Sequence, residues 1–124
     1  LLKRRRDIIE RYDEAFKTLG HLTVPHFTDR HTSSGHLYLL RIPGIGVDRR
    51  NELIVQMAER GIATNVHFKP LPMMTAYKNM GFDIADFPNA YHQYENEITL
   101  PLNTKLSDED VEYIINNLLE ILHE

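Results

Sequence analysis

The sequence predicts a small α+β fold, an α/β two-layer sandwich in which a short mixed sheet carries helices packed on it. Three observations predict it. The segments 1–19 and 107–122 repeat apolar residues at helical spacing. The shorter segments 36–42, 62–68 and 97–102 are apolar, aromatic or β-branched, and each meets a proline, at Pro43, Pro70 and Pro101. The 124 residues suit one domain, 1–124, with no repeat, low-complexity tract or internal boundary.

Taken in order, Ile8, Ile9, Tyr12, Phe16 and Leu19 give the first helix its apolar stripe, and Gly20 is a stop signal. Leu22 to Phe27 reads as a short edge strand, because Pro25 removes a ladder donor. Residues 28–35 form a polar loop, and "HLYLLRI", 36–42, a buried strand. After the turn "PGIG", Asp48 is expected to cap a helix whose inner face is Leu53, Ile54, Met57 and Ala58. Gly61 ends it in the left-handed conformation. "IATNVHF" follows as a strand, so 36–42 and 62–68 are expected to pair in parallel as a βαβ unit. A short helix over 73–80 ends at Gly81, and Phe87-Pro88 starts another, proline suiting the first turn. "EITLPL" is the last strand. Ser107 caps the last helix, with Asp108, Glu109 and Asp110 at its positive end and Val111, Ile114, Ile115, Leu118, Leu119 and Leu122 as its stripe.

Composition narrows the function classes. At 42% hydrophobic and 26% charged the chain is globular, and a net charge of −4 gives no pull toward nucleic acid or anionic membrane. The run Lys3-Arg4-Arg5-Arg6 reads as the solvated start of a helix. Without cysteine there is no disulfide scaffold and no thiolate metal site. No apolar run reaches the ~18 residues of a membrane span, and the charged, amphipathic N-terminus is no signal peptide, so an intracellular protein is expected. The chain starts at Leu1 rather than Met, which reads as a piece of something longer.

Chemistry-bearing residues concentrate in "NVHFKPLP". Of seven histidines none stands four residues from another, and the five-residue recurrence of His21, His26 and His31 is not a ligand spacing. Ser33 and Ser34 near His36 lack a nucleophile elbow. Glycine-rich phosphate motifs are absent, so no nucleotide-binding Rossmann core is expected. His36 and His67 each fall on an expected strand, where a histidine is more commonly a satisfied core or edge residue than a functional one. Lys69 is more informative: it leaves the sheet at a strand end, where α/β layers commonly meet ligands. Imidazole, aromatic face and ammonium together suit an anionic, ring-bearing ligand.

The ordered set "RGIATNVHFKPLP", "GF", "DFPNA", "ITLPL" and "LSDEDVEYIINNL", with "RR…YDE" and "HLYLLRI" before it, resembles the C-terminal small domain of the DegT/DnrJ/EryC1/StrS family of nucleotide-sugar aminotransferases. The resemblance covers nearly the whole chain. It implies the small domain of a fold-type I enzyme that uses pyridoxal 5′-phosphate. Such enzymes move an amino group, usually from glutamate, to a keto-sugar on a nucleotide diphosphate. They act as cytoplasmic homodimers that supply amino sugars for surface polysaccharides or glycosylated products. The family's cofactor lysine, pyridinium-pairing aspartate and phosphate-binding residues belong to a preceding large domain. None of Lys3, Lys17, Lys69, Lys78 and Lys105 has the context of that lysine, so this chain alone is expected to be inactive.

Carried over to this sequence, the family's His-aromatic pair on the sugar side of the cleft is His67 and Phe68, where the aromatic is commonly Tyr. A second family histidine after the proline has Met73 near its place. Lys69 is placed to meet the diphosphate or a sugar carboxylate, and His36 and Tyr38 are further substrate-side candidates. Two rival readings stand beside this one: a stand-alone module that binds a sugar nucleotide or a protein, and a regulatory relative that binds the cofactor without transferring amino groups.

Overall fold

A computed structural model describes residues 1–20 and 22–124. His21, first of the five-residue histidine recurrence, lies outside the described residues.

Helix α1, Leu2–Phe16, continues as a 3-10 turn over Lys17–Leu19 and buries Ile8, Ile9, Tyr12 and Phe16. The basic run in its first turns is only partly solvated. Arg4 donates to an Asp108 carboxylate oxygen at 2.8 Å and to the Leu106 carbonyl at 2.7 Å, and Arg5 donates to the Gly35 carbonyl at 2.9 Å. The guanidinium of Arg6 lies 4.3 Å from the centre of the Phe27 ring. These arginines tie the helix to the connections before β1 and before α5, while Lys3 pairs with Asp7 one turn on.

Strands β1, Tyr38–Arg41, and β2, Glu97–Leu100, form a two-stranded antiparallel sheet, with Tyr38 opposite Leu100 and Arg41 opposite Glu97. Alternation along a strand sorts these residues by face. Tyr38, Leu40, Ile98 and Leu100 join the core made with α1 and the last helix. Leu39, Arg41, Glu97 and Thr99 face the other way.

The expected parallel pairing of 36–42 with 62–68 does not form. In 62–68 only Asn65 pairs, as a single antiparallel bridge to Thr99 on the far edge of β2. β2 therefore takes the middle place, and both neighbours run against it. The reason is burial: every residue of β2 is buried, whereas the 62–68 segment surfaces after Ile62. Residues 22–27 likewise form no strand; Phe27 alone bridges Thr32 across the polar loop, and Pro25 has no amide to extend the pairing.

Helix α2, Val47–Glu59, buries Arg50, Leu53 and Met57. Asp48 is not its cap. Gly46 occupies that position with no side-chain bond, and Asp48 lies in the first turn, where the helix dipole favours it. Gly61, at φ +78°, donates to the Ala58 carbonyl at 2.9 Å, and Ile62 donates to Met57 at 3.0 Å. This is the Schellman pair that closes a helix on glycine, and the buried Ile62 anchors it. A 3-10 turn over Leu71–Met73 leads into α3, Thr75–Asn79. Helix α4, Pro88–Glu95, has proline in its first turn. Helix α5, Asp108–Leu122, starts with a reciprocal capping box between Ser107 and Asp110 and buries Val111, Ile114, Ile115, Leu118 and Ile121. Among the described residues no helix is long and apolar enough to cross a membrane.

Candidate functional site

Local chemistry aims the segment after α2. The Schellman turn reverses the chain at Gly61, and Asn65 then exchanges both main-chain bonds with Thr99, at 2.7 and 3.3 Å. The ladder stops there. The next two amides bond side chains instead of a strand: that of Val66 donates to Asn65 Oδ1 at 2.8 Å, and that of His67 donates to an oxygen of the Glu97 side chain at 3.1 Å. Pro70 and Pro72 cannot donate, so the chain turns away with no means of resuming the sheet.

Beneath His67 lies a buried polar network. Glu97 is 1% exposed. Its Oε2 takes the His67 amide, and its Oε1 takes the Thr99 hydroxyl at 2.6 Å. The same Thr99 oxygen lies 2.8 Å from Nδ1 of His67. Burial pushes the Glu97 carboxyl above its ordinary range; the Thr99 hydroxyl, the His67 amide and the charge of Arg50 act against that rise. Arg50, also 1% exposed, donates to the Tyr94 carbonyl at 2.6 Å and lies 4.5 Å from the centre of the Tyr94 ring. A buried guanidinium needs such partners, and these fix α2 and α4 against the start of β2. Arg41 closes the same side, donating to Asn96 Oδ1 at 3.0 Å and to the His92 carbonyl at 2.9 Å.

The sequence candidates divide into two groups. His67, Phe68 and Lys69 lie together at the surface. Phe68 is 72% exposed and meets the His67 ring edge-on at 4.6 Å, and Lys69 is exposed and makes no ion pair among the described residues. Met73 is half-buried in the 3-10 turn that follows. Beyond it a cleft of about 390 Å³ is walled by Pro70, Leu71, Pro72, Tyr77, Phe82 and Phe87, almost entirely apolar.

His36 and Tyr38 do not join this group. His36 is exposed in the loop before β1, not on a strand. Tyr38 is buried on the opposite face of the sheet, donating to Asp13 at 2.7 Å and packed 5.0 Å from Tyr12; burial pushes its phenol up. Tyr38 is a core residue because even-numbered positions of β1 face α1.

Sequence reasoning missed Glu97, Thr99, Arg50 and Arg41. A signal existed for two of them: an acid heading an otherwise apolar strand, and an arginine three residues before Leu53 on a helix's inner stripe. Both are costly to bury alone, so each points to a partner.

The fold and this site define a small α+β domain whose solved neighbours are sugar aminotransferases. In its PMP-form, Spr1654 of Streptococcus pneumoniae, provisionally named a sugar aminotransferase, superposes on 99% of this chain with a TM-score of 0.94 and 50% identity, over 31% of its own length. Its PLP-form gives a TM-score of 0.93 at the same identity. The chain belongs to the DegT/DnrJ/EryC1/StrS aminotransferase family, whose profile matches residues 1–119. Among curated relatives, the spore coat polysaccharide biosynthesis protein SpsC of Bacillus subtilis is 36% identical over 97% of this chain and 32% of its own. The UDP-4-amino-4,6-dideoxy-N-acetyl-beta-L-altrosamine transaminase of Helicobacter pylori is 28% identical over 97% and 32%. The chain thus spans about a third of the length of the curated relatives it matches.

These residues do not fit pyridoxal phosphate by themselves. A lysine that holds the cofactor's aldehyde has to be enclosed and desolvated to react as an amine. All five lysines here are exposed, on helix surfaces or loops. No chemical step is therefore assigned to them.

Proposed function

We propose that the complete protein carrying this chain is a pyridoxal-phosphate-dependent sugar aminotransferase. It moves an amino group from glutamate to a nucleotide-linked keto-sugar, in a cytoplasmic homodimer that serves amino-sugar or surface-polysaccharide synthesis. Residues outside this chain hold the cofactor, and residues 1–124 act as its small C-terminal domain, inactive alone. The observation that carries this reading is the 50% identity, across 99% of the chain, with a sugar aminotransferase solved in both PMP- and PLP-forms. The geometry of the site agrees with it. His67, Phe68 and Lys69 offer a polar ring nitrogen, an apolar face and a cation along one strand end, a set suited to a sugar ring bearing phosphate. On this reading His67 bonds the sugar, Phe68 packs on its ring, and Lys69 meets the diphosphate.

The test uses His67→Ala in the complete protein. Removing one hydrogen-bonding side chain from the sugar should lower kcat/KM for the nucleotide keto-sugar about 10- to 100-fold. Cofactor binding and the half-reaction with glutamate should remain. Unchanged kinetics with the sugar would remove His67 from the site. A wild-type complete protein that binds the cofactor but transfers no amino group would be the regulatory relative instead.

A further inference from the structure

We infer that Glu97 and Thr99 are positioning residues that hold His67 as its neutral Nδ1–H tautomer, leaving Nε2 as a hydrogen-bond acceptor for a hydroxyl or N–H group of the ligand. The inference rests on the reading above that His67 faces substrate, and it names the kind of group His67 recognises.

Counting hydrogens carries the argument. The Thr99 hydroxyl has one hydrogen and two neighbours in bonding range, Glu97 Oε1 at 2.6 Å and His67 Nδ1 at 2.8 Å. The other oxygen of Glu97 accepts the His67 amide at 3.1 Å. Above its raised titration point Glu97 is a carboxylate that accepts at both oxygens and has no hydrogen to give. The Thr99 hydrogen therefore goes to Glu97, and the Thr99 oxygen can only accept from His67. Nδ1 must then carry the ring proton, and in a neutral imidazole Nε2 carries the lone pair.

The arrangement is held in place from several directions. Glu97 and Thr99 are buried, on a strand that pairs with β1 on one side and Asn65 on the other. Arg50 approaches from behind, its Nη1 3.4 Å from the Glu97 carbonyl, and places a positive charge near the carboxylate. Nε2 of His67 makes no hydrogen bond among the described residues, whereas Nδ1 is engaged. The lone pair is thus the free end of a relay running from Glu97 through Thr99 to the ring.

The consequence is selective. A lone pair at Nε2 attracts a sugar hydroxyl or an amine hydrogen and repels the oxygens of a phosphate. His67 is then a reader of hydroxyl or amine groups, and the anion falls to the neighbouring Lys69. An unbuttressed imidazole in water prefers the opposite tautomer, with the proton on Nε2, so the relay leaves a signature that packing alone would not.

The experiment is a long-range proton–nitrogen correlation on the complete protein, labelled with ¹⁵N-histidine, at neutral pH and without substrate. His67→Gln assigns the signal. The expected wild-type pattern is a protonated Nδ1 and an unprotonated Nε2. In Glu97→Gln the side-chain oxygen takes the His67 amide and its NH₂ faces Thr99, so the Thr99 hydrogen passes to Nδ1 and the proton moves to Nε2. Thr99→Val, nearly the same shape, also releases the ring to Nε2–H and serves if the first variant does not fold. A wild-type ring protonated on Nε2, or a pattern unmoved by both variants, overturns the relay. Kinetics separate the two layers. Glu97→Gln should raise KM for the nucleotide keto-sugar and leave the glutamate half-reaction unchanged. A tautomer switch without a change in KM keeps the relay and overturns the ligand contact, and with it the placing of His67 at substrate.

Discussion

Glu97 is the residue whose behaviour departs furthest from its local sequence. An acid at the head of a short strand would ordinarily face water, but here the segment around His67 lies over it. Burial raises its carboxyl above the ordinary value of 4.5. The folded chain therefore holds that proton more tightly than the unfolded chain does. The stability from this group is complete below 4.5 and is lost as pH rises through the raised folded value. In urea unfolding followed from pH 4.5 toward neutrality, the wild type should lose stability relative to Glu97→Gln. A stability difference that stays flat over that interval would mean that the carboxyl titrates as an exposed one. The exposure of Phe68 and Lys69, by contrast, was legible, because a segment running into two prolines has to present its last side chains at the surface.

Helix ends were the most legible elements because the groups that satisfy them lie within a few residues in sequence. Ser107 and Asp110 exchange bonds at 2.9 and 3.0 Å, and Pro88 starts α4. Gly81, at φ +94°, closes α3 as Gly61 closes α2, with Tyr77 and Phe82 packed across that end at 6.1 Å. A Cβ on Gly61 would meet nothing within 4 Å, so the demand for glycine there is conformational. Gly61→Ala should cost about 1 kcal/mol in urea unfolding, through the left-handed backbone alone. A loss below a few tenths would mean that the turn relaxes. Asp48 misled because the main chain enters the helix two residues earlier, at Gly46, which leaves Asp48 in the first turn. Strand partners were the least legible. The 62–68 segment has strand-like residues, but pairing is decided by which strand both neighbours can bury.

For the molecule as a whole, the unbalanced feature is its surface between residues 68 and 87. Phe68, Leu71, Met80, Phe82 and Phe87 are all exposed, Phe68 and Met80 by more than two thirds. Large apolar groups gathered on one stretch mark a surface that meets another body. Relatives about three times as long have the chain to supply one. Expressed alone, this chain should transfer no amino group and should associate as its concentration rises. Leu71→Ser combined with Phe87→Ser should suppress that association in sedimentation velocity. A monomer at all concentrations would show that the strip is innocuous.

Amphipathic spacing and punctuation thus set the helices, most of their ends, the α+β class and the surfacing of the chain at Phe68 and Lys69, because each depends on residues close in the chain. Folding in three dimensions placed β2 in the middle of the sheet, put Tyr38 in the core instead of at the site, and brought Glu97 and Thr99 under His67 from some thirty residues away. Those outcomes follow from which surfaces can be buried together, and a buried carboxylate finds its hydrogen-bond donors only once the chain has closed over it.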